Sequence, residues 1–167
     1  MTKRTISVIG GSEVDSETIK IAYEVGAEIA RRDIVLICGG MGGVMESACK
    51  GAKEMGGTTV GILPTDTREH GNQYLDIAIP TGLGYTRNFI VAKAADGVIA
   101  INGSAGTLSE MAIAWFSDIP IVALTISGGW AEKLAGKKID HRREDIIFPA
   151  NTAHEAVQAI FTANKWD

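Results

Sequence analysis

Hydrophobic and polar positions alternate along this chain in blocks. Short runs of β-branched and aliphatic residues recur at "TISVIGG" (5–11), "IVLICGG" (34–40), "TTVGILP" (58–64), "LDIAIPT" (75–81), "GVIAI" (97–101), "IPIVAL" (119–124) and "IIFP" (146–149). Most lack polar interruptions, which predicts strands covered on both faces; only 75–81 alternates clearly. Between them lie segments whose apolar residues fall at helical spacing. Residues 16–32 carry Ile19, Ala22, Tyr23, Gly26, Ala27 and Ala30 on that repeat, with Ser16 as the expected N-cap. Further helices are predicted over 43–57, stopped by Gly56-Gly57, and over 86–96, 107–118, 130–136 and 152–165. The polar stretch 65–74 reads as a loop that leans towards a lid, and 137–145 as a solvated turn.

Buried strands that alternate with helices need crossovers, and crossovers cover both faces of a parallel sheet. The prediction is an α/β chain with a doubly wound, mostly parallel, Rossmann-like sheet. Its 167 residues fit one domain, 1–167, with no repeat or linker to divide it. Ligands of such sheets bind beyond the carboxyl ends of the strands. Three glycine clusters fall there, at 10–11, 39–43 and 103–106.

Glycines at a strand-to-helix turn let a ligand approach main-chain N–H groups, and a helix N-terminus adds partial positive charge. One such loop is explained as well by tight packing; three on one edge favour a phosphate. The candidate ligand-binding residues are Gly10, Gly11 and Ser12, then Gly39, Gly40, Gly42, Gly43 and Met45. Gly103, Ser104, Ala105, Gly106 and Thr107 follow, and Asn88 completes them. The dinucleotide fingerprint G-x-G-x-x-G is not intact in the first or second turn, and no acidic residue ends the second strand, so NAD is disfavoured. The Walker pattern is absent, which argues against an ATPase.

Two charged residues stand out near this edge. Thr107-Leu108-Ser109-Glu110 matches a capping box, which would occupy Glu110 structurally. The same position places a carboxylate in a first helical turn beside whatever sugar a bound phosphate anchors. Arg87 falls at the start of a predicted helix, where a cation opposes the helix dipole, so a phosphate or carboxylate partner is expected.

Composition narrows the classes. Hydrophobic residues make up 46% and charged residues 22%, which is a globular composition. A net charge of −4 argues against general nucleic-acid binding. No run approaches a membrane span, and the N-terminal apolar run is too short for a signal peptide, so a cytoplasmic protein is expected. Cys38 and Cys49 lack metal-ligand spacing and read as small packing residues; no metal site is expected. His70, His141 and His154 sit in polar segments and read as surface residues.

The pairing of "GGMGGVMESACKGA" with "NGSAGTLSE", and the Arg between them, resembles the Lonely Guy family, whose members were long labelled "possible lysine decarboxylase". The nearer resemblance is to a branch that contains the molybdenum-cofactor carrier proteins. It extends over about residues 5 to 160. It implies a homodimeric Rossmann-like protein that cleaves the N-glycosidic bond of a nucleoside 5′-monophosphate, a reaction that needs no cofactor. The family motif P-G-G-x-G-T-x-x-E falls on Asn102 to Glu110, with Asn102 for proline and Ser104 for glycine. The resemblance assigns catalysis to Glu110 and Arg87. Asn88 stands where the hydrolases have lysine, and Glu46 where they have glycine. A second reading therefore stands beside hydrolysis: a carrier of a nucleotide or a molybdopterin-type ligand. Nothing supports a lysine decarboxylase, since Lys50 and Lys93 read as ordinary helix residues.

The segment 107–118 is apolar on nearly every side past Glu110, and 89–95 shares that character. One sheet covers only one stripe of a helix, so a homodimer or higher homo-oligomer through these helices is expected.

Overall fold

The computed structural model describes residues 2–166. Seven strands form one sheet: β1 (Thr5–Gly10), β2 (Val35–Cys38), β3 (Thr59–Leu63), β4 (Ile77–Pro80), β5 (Gly97–Ile101), β6 (Ile121–Leu124) and β7 (Phe148–Ala150). Their order is β4-β3-β2-β1-β5-β6-β7. Every pairing is parallel, so the sheet is wholly rather than mostly parallel. The chain leaves β1 for one side, returns, and continues from β5 on the other. The switch point of this doubly wound sheet therefore lies between β1 and β5.

Side-chain alternation on buried strands splits the core in two. Ile6 and Val8 of β1, Leu36 and Cys38 of β2 and Ile99 and Ile101 of β5 face α1 (Ser16–Arg31), α2 (Val44–Glu54) and α6 (Ala153–Asn164). Ile9, Ile37, Val98 and Ala100 face α3 (Asn88–Lys93), α4 (Ala105–Phe116) and α5 (Gly129–Leu134). The two helices α1 and α2 pack backbone to backbone. A Cβ on Gly26 would stand 1.8 Å from the Ala48 carbonyl oxygen, and one on Gly51 2.0 Å from that of Tyr23. The small residues of α2 exist for this crossing.

Several boundaries differ from the sequence reading. Asp15, not Ser16, caps α1, because its carboxylate accepts the Thr18 N–H at 2.8 Å. The predicted helix over 86–96 divides into a 3₁₀ turn, Gly84–Arg87, and the short α3. Residues 137–145 are not simply solvated. Arg143 is buried against the Trp115 ring at 4.7 Å, donates to the Ile119 carbonyl at 2.9 Å and pairs with Asp145. The stretch 65–74 is fastened to the second glycine loop. Asn72 ties it down, donating through its backbone to Gly40 and through its side chain to Met41. Among the described residues, no helix is long and apolar enough to cross a membrane.

Candidate functional site

At the switch point, the carboxyl ends of the strands surround a cavity of about 490 Å³. β1 and its turn supply Val8, Ile9, Gly10, Gly11 and Ser12. The segment after β2 supplies Gly39, Met41 and Met45, and Pro64 follows β3. The turn before α3 supplies Gly84, Tyr85 and Arg87, α3 opens with Asn88, and α4 with its N-cap supplies Ser104, Gly106, Thr107 and Glu110.

Gly40, Gly42, Gly43, Gly103 and Ala105 are candidates that do not line it. Two of these shape the walls. Gly43 has φ +63°, and a Cβ there would lie 2.4 Å from the carbonyl oxygens of Gly11 and Ser12, so the first two loops touch through their backbones. Gly103 has φ +97°, and its missing Cβ leaves room for the Thr107 side chain that folds back upon it.

Side-chain caps are present on two of the helices that start along the carboxyl edge, α1 and α6, and absent from α2, α3, α4 and α5. Away from the cavity, Asp15 caps α1 and Thr152 caps α6 with side-chain oxygens. At the cavity, neither α2, which starts from Gly43, nor α4, which starts from Ser104, has a side-chain cap. In α4 the first intrahelical bond runs from Leu108 N–H to Ser104 O, so the N–H groups of residues 105–107 donate to no protein acceptor among the described residues. Orphan donors and the helix dipole together favour an anion at this spot.

This start also revises the role expected for Glu110. The helix begins at Ala105, two residues before the predicted boundary, which makes Glu110 its sixth residue. It lies in the second turn, out of reach of a capping box, and its side chain is buried in the cavity wall. Burial pushes the carboxyl up to about 7, against the pull of the nearby Arg87 cation. A carboxyl that titrates near neutrality suits proton transfer.

Arg87 closes the 3₁₀ turn and is 8% exposed. An exposed salt bridge, the ordinary fate of such a residue, is not what it makes. Its Nε donates to the Ile62 carbonyl at 2.9 Å, one terminal nitrogen to the Gly39 carbonyl at 3.4 Å, and the other to the Asn88 side-chain oxygen. Burial draws its pKa below the ordinary guanidinium value, and the charge of Glu110 opposes that. The two residues do not form a contact ion pair within 4.0 Å. Their charges face the cavity instead of each other's hydrogen-bonding groups.

Val8, Ile9, Met41, Pro64, Gly84 and Tyr85 were not foreseen as wall residues. Met41 sits within the second glycine cluster, which was the signal available for it. Pro64 and Tyr85 arrive from strands whose ends carry no glycine cluster, and only the fold brings them in. Cys38 and Cys49 are buried and free, with their sulfurs 3.5 Å apart. His70, His141 and His154 are exposed. No group of three or more His, Cys, Asp or Glu is placed to hold a metal among the described residues.

The molybdenum cofactor binding protein of Rippkaea orientalis is 34% identical. Its structure superposes with a TM-score of 0.86, covering 97% of this chain and 98% of that one. The molybdenum cofactor carrier protein of Chlamydomonas reinhardtii is 32% identical with a TM-score of 0.84, over 98% and 99% of the two chains. The cytokinin riboside 5′-monophosphate phosphoribohydrolase of Mycobacterium tuberculosis is 36% identical over 108 residues, which are 62% of this chain and 57% of that enzyme. This chain thus matches little more than half the length of the hydrolase. The family model described as the SLOG cluster4 family matches residues 3–157, and the chain belongs to that Lonely Guy family.

Proposed function

We propose that this protein binds a nucleotide-like phosphate monoester at the carboxyl edge of its sheet and hydrolyses the N-glycosidic bond of a nucleoside 5′-monophosphate. The observation that carries this reading is the convergence, on one cavity, of an uncapped α4 N-terminus, a buried Arg87 and a Glu110 carboxyl that titrates near 7. The phosphate is held by the orphan N–H groups of 105–107 and by the guanidinium. The heterocycle rests on the apolar wall made by Met41, Met45 and Pro64. Glu110 faces the sugar. As the C1′–N bond breaks, its carboxylate stabilises the positive charge that develops on the ribosyl ring. Water adds to C1′ and gives a proton to Glu110, the leaving base takes a proton from solvent, and Glu110 returns its proton to solvent. The products are free base and ribose 5-phosphate.

The Mycobacterium tuberculosis relative, named for this activity, supports the chemistry. The two molybdenum-cofactor proteins favour a second reading, because they match this chain over nearly its whole length. A phosphorylated pterin presents the same two chemical features, a planar heterocycle and a phosphate, and the same residues fit it. On that reading the protein binds its ligand as cargo, without turnover.

Exposed aromatic residues support a homodimer. Tyr85 is 88% exposed, Phe89 47% and Phe116 48%, so large aromatic side chains are left uncovered on α3, α4 and the turn before α3. Ile77 and Ile79 of β4 are also exposed, in register with Val60 and Ile62 on the side of the sheet that carries α3 and α4. A homodimer that buries these residues completes the core and sets the partner beside the cavity mouth at Tyr85.

The test is direct. The purified protein is incubated with adenosine 5′-monophosphate and N6-substituted adenylates, and free base and ribose 5-phosphate are followed by chromatography. Release that falls by at least 100-fold in Glu110→Gln is expected. Binding without release in the native protein would leave the carrier reading.

A further inference from the structure

Asn88 lines the cavity, which makes it look like a ligand contact. Its hydrogen bonds argue otherwise. The residue is buried, with 5% exposure, and both ends of its amide are engaged. The side-chain oxygen accepts from Arg87, which has only donors, and this fixes the orientation of the amide. The amide nitrogen then donates to Ser109 Oγ at 3.1 Å, and Ser109 Oγ donates to the Gly106 carbonyl at 2.6 Å. The donors run in one direction, from the guanidinium into the first turn of α4.

This chain joins two elements that reach the site from different strands. Arg87 comes from the turn after β4, and Gly106 from the helix after β5. All three groups that accept from Arg87 are neutral amide oxygens, those of Ile62, Gly39 and Asn88. The guanidinium has five N–H groups, so two meet no acceptor among the described residues, and its charge is not spent on a contact carboxylate there. A lysine at position 88 would put a second cation beside Arg87 and could not accept its hydrogen bond. An aspartate would accept it and cancel the charge. Only a neutral acceptor holds the guanidinium still and leaves its charge for an anion.

We infer that Asn88 is a positioning residue: it locks Arg87 at a fixed distance from the α4 N-terminus so that both grip the same phosphate. This deepens the proposed function and rests on it for the identity of the anion. Hydrogen-bonded anchoring of a charged binding group is a source of preorganisation, which shows as affinity without a new ligand contact.

Two measurements test it. The first needs no ligand. In nitrogen-15 spectra of the native protein, the two terminal nitrogens of Arg87 are expected as separate resonances, because hydrogen bonding hinders rotation of the guanidinium groups. They should merge in Asn88→Leu, with Ser109→Ala intermediate. The second compares adenosine 5′-monophosphate with adenosine by calorimetry. Asn88→Asp should keep the native melting temperature, because the aspartate pairs with Arg87, yet lose at least 10-fold in affinity for the monophosphate with adenosine unchanged. Ser109→Ala should lose about threefold, again for the monophosphate alone.

Merged Arg87 resonances in the native protein would overturn the inference, as would equal losses for adenosine and its monophosphate. Separate resonances in a protein that does not bind the monophosphate would leave the bracing intact and remove the proposed function. Monophosphate binding that is indifferent to both Asn88→Asp and Ser109→Ala would do the reverse.

Discussion

Replacing Glu110 by glutamine should stabilise the protein, and by an amount that depends on pH. The carboxyl is buried and its value moves from 4.5 to about 7, a rise of about 2.5 units. A raised carboxyl favours the folded state while protonated. Its contribution is fully present below pH 4.5 and is lost as pH rises through 7, because the folded chain then has to carry a buried charge. At about 1.4 kcal/mol per unit, ionisation costs the fold about 3 kcal/mol by pH 8. Glutamine has nearly the same shape and never ionises. Urea unfolding at pH 4.5 should therefore give equal stability for the two proteins, within about 0.5 kcal/mol. At pH 8.5 Glu110→Gln should be the more stable by about 3 kcal/mol. For a chain of this size that corresponds to a rise of roughly 6–12 °C in Tm. The ligand-free protein is the right sample, since an anion or a substrate sugar changes what the carboxyl faces. A stability difference that stays constant between pH 4.5 and 8.5 would refute the argument, and with it the placement of Glu110 in a dry wall.

Other consequences can be checked alongside. On the proposed hydrolysis, kcat/KM for release of base should rise tenfold per unit below about pH 7 and level off above it, because that mechanism uses the ionised carboxylate. Gly26→Ala should cost about 2 kcal/mol or more in urea unfolding, because its methyl group would sit 1.8 Å from the Ala48 carbonyl oxygen and force α1 off α2. Phe89→Asp combined with Phe116→Asp should convert a dimer into a monomer in size-exclusion chromatography with light scattering; a native protein already monomeric at micromolar concentration contradicts the proposed assembly. A disulfide-exchange reagent should titrate Cys38 and Cys49 only after denaturation, since both thiols are buried and the hydrogen bond with Cys38, then burial, push the Cys49 thiol well above its ordinary range.

The sheet was legible because its strands are buried on both faces and read as uninterrupted apolar blocks between helical repeats. The seven predicted strands are present with shifted ends, and the edge that carries the cavity is the one where the glycines fall. What stayed hidden depends on tertiary contact. Thr107-Leu108-Ser109-Glu110 fits a capping box perfectly well by spacing, but Ser104 and Ala105 are small enough to start the helix earlier, and nothing local distinguishes the two starts. Arg143 lies in a charged run whose sequence suits solvent, and only the Trp115 ring and the carbonyls around it explain its burial. Arg87 was visible as an oddly placed cation. Its amide-lined socket was not, because Ile62, Gly39 and Asn88 come together only when β2, β3 and the turn after β4 lie side by side.

The central claim is that phosphate, Arg87 and Glu110 meet in one cavity, and a crystal structure with adenosine 5′-monophosphate tests it most directly. The account predicts the phosphate against the N–H groups of residues 105–107 and the Arg87 guanidinium, with the ribose C1′ turned towards Glu110. A monophosphate bound elsewhere, or bound here with its phosphate away from the α4 N-terminus, would contradict it.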